Sequence, residues 1–219
     1  MTRKGSAGDP LDELLGAIPL LAGRPASAED RQRFTRYLEL LVEWNRVHDL
    51  TGLKDPRGIV RGLFVDSLLF LPQLPARPLR LVDIGSGAGI PGLPLHLIDS
   101  RIEATLVEAR QKRASFLRTV RRELGLETVR LVNARAEDAI REDPELSGRY
   151  DVAVARAVTP TGPLLAMCRR WLKPGGRIVI SGPPAWVALP LAPAGMTWVR
   201  VPHPKLRMER AFLVTAHEA

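Results

Sequence analysis

Cysteine, lysine and long apolar runs are scarce in this 219-residue chain, and each scarcity excludes a class of protein. The single cysteine, Cys168, excludes an internal disulfide and a cysteine-based metal cluster, and we interpret it as a helix-core residue. No apolar run approaches the roughly 18 residues that a spanning helix needs, and residues 1–8 lead into no signal-type segment. The four histidines lack metal-ligand spacing. We therefore predict a cytoplasmic, monomeric protein without a membrane segment or a metal.

Arginine dominates the basic residues. Of the 32 lysines and arginines only five are lysines, and the formal net charge is +8. Guanidinium groups suit bidentate contact with phosphate, so the charge favours a polyanionic partner such as a nucleic acid. An arginine-rich genome would give the same composition, and composition does not separate the two. The basic residues that we expect around the functional cleft are Arg110, Lys112, Arg113, Arg118, Arg121, Arg122, Lys205, Arg207 and Arg210.

The chain divides into a helical first third and an α/β remainder. Helical apolar spacing fills the first third, with cap signals at Asp9-Pro10, Ser27 and Asp55-Pro56. From Arg80 onward, short apolar runs alternate with helical patterns, which predicts βαβ units and a parallel sheet. We expect an N-terminal helical segment over residues 1–78 and an α/β domain over residues 79–219, with the boundary at Pro72–Pro78.

The stretch Leu81–Gly92 makes the most specific demand on the backbone. A buried strand ends there in an acid, and four glycines follow within eight residues, a density that allows close approach of a ligand to the main chain. Residues 87–92 also satisfy the dinucleotide pattern G-x-G-x-x-G, so an NAD site is an alternative, although one such match is weak evidence.

The larger pattern, with Asp83 two residues before the first of three alternating glycines at 85, 87 and 89, resembles motif I of the class I methyltransferases that use S-adenosylmethionine. That resemblance implies a Rossmann-like, mostly parallel seven-stranded sheet with helices on both faces. It places Asp83 near the methionine end of the cofactor and Gly85 and Gly87 against it. It also implies that Glu108 contacts the ribose hydroxyls, and that residues 133–138 contact the adenine.

The residues at the end of the fourth predicted strand narrow the possible classes of methyl acceptor. It ends in Arg156-Ala157-Val158, whereas enzymes that methylate exocyclic amines typically carry Asn/Asp-Pro-Pro-aromatic there. No cysteine stands where covalent attack on a pyrimidine needs one. The remaining class of methyl acceptor is an atom that attacks with its own lone pair, and guanine N7 is such an atom. Transfer then requires chiefly alignment and desolvation, although a non-catalytic binding protein would also lack a general base.

Several motifs together resemble the bacterial glucose-inhibited division protein B family, whose members are small-subunit (16S) ribosomal RNA guanine-N7 methyltransferases. The resemblance spans roughly Trp44 to Thr215, and its motifs are Leu81–Leu95, Lys112–Leu117, Arg156–Val158 and Glu209-Arg210. It implies ribosomal RNA or the small subunit as partner. The cofactor contacts that it implies are Gly85, Ile90, Ala136, Glu137 and Arg156. We predict Arg156 as the catalytic residue, with a structural salt bridge as its alternative role.

The chain departs from the family pattern at four positions. It has Asp49, Leu63, Ser181 and Ala211 where the family usually has Asn, His, Lys and His. Three of these changes remove a side chain that can be cationic. A class I methyltransferase with another substrate, and a non-catalytic protein that binds the cofactor or RNA, are therefore the alternative functions.

Overall fold

The computed structural model describes residues 8–156, 162–183, 186–203 and 209–215, and the first third of that chain is helical as predicted. The sequence predicts disorder for residues 1–8, of which residues 1–7 lie outside the described ranges. The N-terminal elements are α1 (Asp12–Ala22), α2 (Ala28–His48), α3 (Pro56–Ile59), a π-helix (Val60–Val65), α4 (Asp66–Leu68) and a 3-10 turn (Leu71–Gln73).

The predicted helix starts are better than the predicted ends. Ser27 forms the predicted capping box, because its side chain accepts from the Asp30 amide and the Asp30 carboxylate accepts from the Ser27 amide. Helical spacing in the sequence predicts that the first helix ends near Pro19, which is wrong, since α1 continues to Ala22. Proline has no amide hydrogen, so one carbonyl of the preceding turn loses its helical hydrogen bond. Because Pro19 lies on the exposed side of α1, water can solvate that carbonyl and the helix continues.

The third predicted helix is interrupted. Asp55 accepts a hydrogen bond from the Gly58 amide and begins it as expected, but residues 60–65 adopt a π-helix before α-helical geometry resumes at Asp66. Such insertions are rare and cluster at functional sites. Apolar spacing alone does not reveal one.

The remainder forms one seven-stranded sheet in the order β3-β2-β1-β4-β5-β7-β6. β1 to β5 pair in parallel, while β7 runs antiparallel to β5 and β6, so the mostly parallel α/β prediction is confirmed. The strands are β1 (Leu79–Ile84), β2 (Ile102–Val107), β3 (Arg130–Val132), β4 (Tyr150–Arg156), β5 (Leu172–Ser181), β6 (Met196–Pro202) and β7 (Glu209–Thr215).

Helices cover both faces of the sheet. They are α5 (Gly92–Ile98), α6 (Gln111–Glu123), α7 (Ala136–Glu142) and α8 (Gly162–Trp171), with a 3-10 turn at Pro144–Leu146. α7 and α8 pack on one face of the sheet in an apolar cluster that includes Val82, and Cys168 is buried in that cluster as predicted. Burial raises the pKa of its thiol to about 12, so the thiol stays protonated.

The N-terminal segment covers the opposite face together with α5 and α6. Phe34 and Tyr37 of α2, Phe64 of the π-helix and Phe116 of α6 belong to one continuous apolar cluster. The Tyr37 and Phe64 rings stack with their centroids 4.8 Å apart. The division at residue 78 stays a prediction, but the segment shares its core with the sheet.

Candidate active site

The glycine loop after β1 occupies the carboxyl edge of the sheet, where ligands bind in open α/β folds. Gly85 and Ser86 both donate their amides to the Val107 carbonyl of β2, which fixes the direction of the loop. Gly85 has φ +76°, and a Cβ built on it would meet no heavy atom within 4 Å. The loop is therefore open on this side, as the approach of a ligand requires.

The opposite side of the loop is packed against the N-terminal segment. A Cβ on Gly89 would lie 2.4 Å from a Leu93 methyl and 2.8 Å from the Tyr37 hydroxyl. Tyr37 donates a 2.5 Å hydrogen bond to the Ala88 carbonyl from a fully buried position. Burial raises the pKa of this hydroxyl well above its usual value, so it remains a donor. Sequence reasoning missed Tyr37 because an aromatic on the apolar face of a helix carries no sign of a polar partner.

Asp83 lies at the end of β1, fully buried beneath the loop. One carboxylate oxygen, Oδ2, accepts from the Gly92 amide at 2.9 Å, and Oδ1 has no hydrogen-bond partner in the described part of the chain. Burial raises the pKa of Asp83 to about 7, partly offset by the Gly92 amide. A buried acceptor without a partner fits a cationic donor, such as the ammonium of S-adenosylmethionine.

Glu108 follows β2 and ties the loop to the next helix. Its Oε2 accepts from the Gly87 amide at 2.8 Å and its Oε1 from the Arg110 amide at 2.7 Å. Each carboxylate oxygen can accept more than one hydrogen bond, so these contacts leave room for ribose hydroxyls. Glu108 is thus anchored beside the loop, and its predicted contact with the ribose hydroxyls stays a prediction.

A cleft of about 300 Å³ opens beside the loop. Three of the predicted cofactor residues, Gly85, Ala136 and Glu137, line it together, with Val107 and Met167 among the apolar walls. An apolar slot with one carboxylate suits a flat heteroaromatic ring bearing an amino group. Ile90 is not among the lining residues and lies in the apolar cluster under the loop.

Arg156 ends β4 on the face that the N-terminal segment covers. Its Nη2 donates to the Gly62 carbonyl of the π-helix at 2.6 Å and lies 3.3 Å from Oδ2 of Asp66. Arg210 of β7 reaches the other oxygen of Asp66 at 2.5 and 2.8 Å. Burial lowers the pKa of Arg156 and the charge of Asp66 raises it. The ion pair that was the alternative role of Arg156 is present, and its contact with cofactor or base stays a prediction.

Three of the four positions where the chain departs from the family pattern lie on the elements that carry this ion pair, whereas Asp49 is exposed at the end of α2. Ser181 lies opposite Arg156 in the β4–β5 register, Leu63 is three residues before Asp66, and Ala211 follows Arg210. All three are buried. Leu63 and Ser181 therefore lie close to the ion pair, whereas alternation along β7 places the Ala211 side chain on the other face of the sheet.

Some residues of the predicted basic surface form ion pairs with carboxylates, and others do not. Arg121 and Arg122, at the far end of α6, form ion pairs with Glu127 and Glu123 at 3.9 and 3.2 Å. Arg118 donates to the Asn133 side chain.

At the start of α6, Arg110, Lys112 and Arg113 have no carboxylate within ion-pair distance among the described residues. Arg113 Nη1 lies 3.8 Å from where a Cβ on Gly87 would stand, so the Arg113 side chain borders the loop. Lys205 and Arg207 lie outside the described residues.

Two absences concern only the described ranges. None of the helices there is long and apolar enough to cross a membrane. Those same ranges contain no group of three or more residues placed to hold a metal ion.

Sequence comparison identifies relatives over most of the chain. A family model described as rRNA small subunit methyltransferase G (GidB) matches residues 30–181. The ribosomal RNA small subunit methyltransferase G of Streptococcus pyogenes is 36% identical over 159 residues, which are 72% of this chain and 67% of that relative. The protein of the same name from Oenococcus oeni is 38% identical, over 71% of this chain and 65% of the relative.

Solved structures with the same fold are more distant. A SAM dependent methyltransferase from Aquifex aeolicus has a TM-score of 0.55 at 14% identity, over 77% of this chain and 97% of its own. The putative methyltransferase yhhF from Escherichia coli has a TM-score of 0.51 at 18% identity, over 70% and 87%. The predicted fold is thereby confirmed, and the family match confirms the predicted S-adenosylmethionine cofactor over NAD. The chain belongs to the rRNA small subunit methyltransferase G family, because that family's model matches well over half of its length.

Proposed function

We propose that this chain transfers the methyl group of S-adenosylmethionine to N7 of a guanine in small-subunit ribosomal RNA. The observation that carries the proposal is the match of the family model to residues 30–181, a range that includes the glycine loop, both of its carboxylates and the cleft. The site geometry supports it because Gly85, Ala136 and Glu137 line one opening at the carboxyl edge of the sheet. Asp83 and Glu108 accept hydrogen bonds from the Gly92 and Gly87 amides beside it.

Each part of the cofactor has a matching group. Asp83 offers its unpartnered Oδ1 to the positively charged methionine end, and Glu108 offers remaining lone pairs to the ribose. Ala136 and Glu137 line the slot for the adenine. When bound, S-adenosylmethionine supplies an electrophilic methyl group on a positively charged sulfur.

The protein's own task in the reaction is positional. Guanine N7 carries an in-plane lone pair and no proton, so no side chain has to remove one. The apolar walls of the cleft would exclude water from the bound cofactor, and the glycine loop would hold the methyl donor for an in-line displacement, two effects that lower the barrier.

The RNA contact follows from the charges at the start of α6. Arg113 borders the glycine loop, and Arg110 and Lys112 precede it at the start of the same helix. All three lack carboxylate partners among the described residues, so they can neutralise phosphates beside the target nucleotide. The major groove of A-form RNA is too deep and narrow for side chains to reach N7. The target guanine is therefore unpaired or flipped out of its helix.

The test is transfer of labelled methyl groups to small ribosomal subunits, and separately to free 16S RNA, from a strain that lacks the family enzyme. We expect one guanine to become labelled at N7, which reverse-transcription mapping after cleavage at the modified base identifies. Cofactor binding is measured in parallel by calorimetry. Tight cofactor binding without label would favour a non-catalytic protein, whereas label on a different base or a small molecule would assign another substrate.

A further inference from the structure

Asp66 joins three segments that are far apart in the sequence. It begins α4 directly after the π-helix, and its two oxygens face Arg156 at the end of β4 and Arg210 in β7. The Arg210 contact spans 144 residues. Only 6% of Asp66 is exposed. One buried carboxylate thus holds two guanidinium groups at the same place.

The charges explain why this carboxylate matters. Arg156 and Arg210 repel each other, and burial disfavours the charge of Arg156, whereas Asp66 favours it. Removing one member of a buried ionic group leaves the others uncompensated. Without the Asp66 charge the two guanidinium groups would separate or turn toward water, and the bond from Arg156 to the Gly62 carbonyl would lose its support.

The ionic group lies beside the proposed reaction site. β1 and β4 pair as far as Asp83 and Val154, so the glycine loop and Arg156 both come directly after the last paired residues, at the carboxyl edge of the sheet. Paired strands are about 4.8 Å apart, which places the end of β4 beside the strand that leads into the cofactor loop. A change in the direction of the Arg156 side chain therefore occurs at the edge of the site.

We propose that Asp66 is a positioning residue that fixes Arg156 in the orientation required for cofactor binding and methyl transfer. It acts through Arg156 and does not touch the reacting atoms. The inference rests on the proposed function for its methyl-transfer readout only, since cofactor affinity is measured without RNA.

The chain offers a matched control at the other end of the sheet. Asp30 is 5% exposed and accepts two hydrogen bonds from Arg24, which also bonds the Ile98 carbonyl. This pair likewise joins the N-terminal segment to the α/β part. It lies near Ile102, where β2 begins, and so at the edge opposite the loop.

The experiment compares Asp66→Asn, Asp30→Asn, Arg156→Ala and the double variant Asp66→Asn/Arg156→Ala in the full chain. Cofactor affinity is measured by calorimetry, and methyl transfer to small subunits in a single turnover, each per folded molecule as judged by thermal unfolding. Asp66→Glu, which keeps the charge, is included as the conservative variant and provides a folded comparison if Asp66→Asn does not fold.

We expect Asp66→Asn to impair the same quantity as Arg156→Ala, by about tenfold or more, because small misplacements at a reacting site have effects of this size. The double variant should be no worse than Arg156→Ala, since residues that act as a unit are not additive. Asp66→Glu should recover part of the loss, and Asp30→Asn should lower only the unfolding temperature.

Three results would overturn the inference: additive losses in the double variant, equal residual activity in Asp66→Asn and Asp30→Asn, or an Arg156→Ala variant with unchanged affinity and rate. A wild-type chain that binds the cofactor but does not methylate small subunits would refute the proposed function instead. The coupling between Asp66 and Arg156 would then still be decided by calorimetry.

Discussion

The hydrogen bond from Tyr37 to the glycine loop predicts a selective effect of removing one oxygen atom. Tyr37→Phe keeps the ring, and with it the stacking on Phe64, but leaves the buried Ala88 carbonyl without this donor. An unsatisfied buried group costs about 1–3 kcal/mol. We expect the unfolding free energy to fall by that amount. The loop should also lose order, which weakens S-adenosylmethionine binding by roughly tenfold because 1.4 kcal/mol corresponds to a factor of ten.

Tyr150 provides the matched control for this change. Tyr150 lies at the start of β4, away from the loop. Its hydroxyl is also buried and forms a 3.2 Å hydrogen bond with the Thr105 hydroxyl. Tyr150→Phe should therefore lower stability and leave the cofactor affinity unchanged. Denaturant unfolding and calorimetry on both variants give the four values needed. If Tyr37→Phe destabilises the chain but binds the cofactor like the wild type, the loop does not depend on Tyr37.

Three further predictions concern the charges and the shape of the site. Because burial raises the pKa of Asp83 to about 7 in the folded chain, above its ordinary value of about 3.8, the carboxyl loses its proton first in the unfolded chain, so the free energy of unfolding should fall as the pH rises from about 4 to 7. Thermal unfolding across that range should show this slope, and Asp83→Asn should abolish it. Gly89→Ala, with its Cβ 2.4 Å from Leu93, should prevent cofactor binding in calorimetry, and unchanged affinity would contradict the packing. Replacing Lys112 and Arg113 by Glu should weaken RNA binding and reduce its salt dependence in filter-binding assays, and an unchanged salt slope would place the RNA elsewhere.

The sheet and the cofactor loop were predictable because their signals are local. Alternating strands and helices, and an acid followed by three spaced glycines, each specify a backbone within about ten residues. The same holds for the Ser27 capping box, whose two partners are three residues apart. The predicted cofactor residues Gly85, Ala136 and Glu137 meet at one cleft because parallel strands bring their carboxyl ends to one edge.

The features that sequence reasoning missed depend on distant partners. The Tyr37 hydroxyl meets a carbonyl 51 residues away, and Asp66 meets Arg210 across 144 residues. In the sequence Tyr37 is one more apolar-face aromatic, and Asp66 is one acid in a helical pattern. Their roles arise only when the N-terminal segment packs on the sheet. The π-helix at residues 60–65 was missed for the same reason, since its geometry reflects packing and not apolar spacing.

The N-terminal segment supports the proposed cofactor site as well as covering the sheet. Tyr37 holds the underside of the glycine loop, and Asp66 with the Gly62 carbonyl holds Arg156 at the end of β4. A ligand that binds only the folded loop also stabilises the contacts on which the folded loop depends. Cofactor binding and the docking of α2 and the π-helix are therefore linked, and linkage is reciprocal. A chain that loses the segment loses the support of the loop, even though every residue of the glycine motif lies outside that segment.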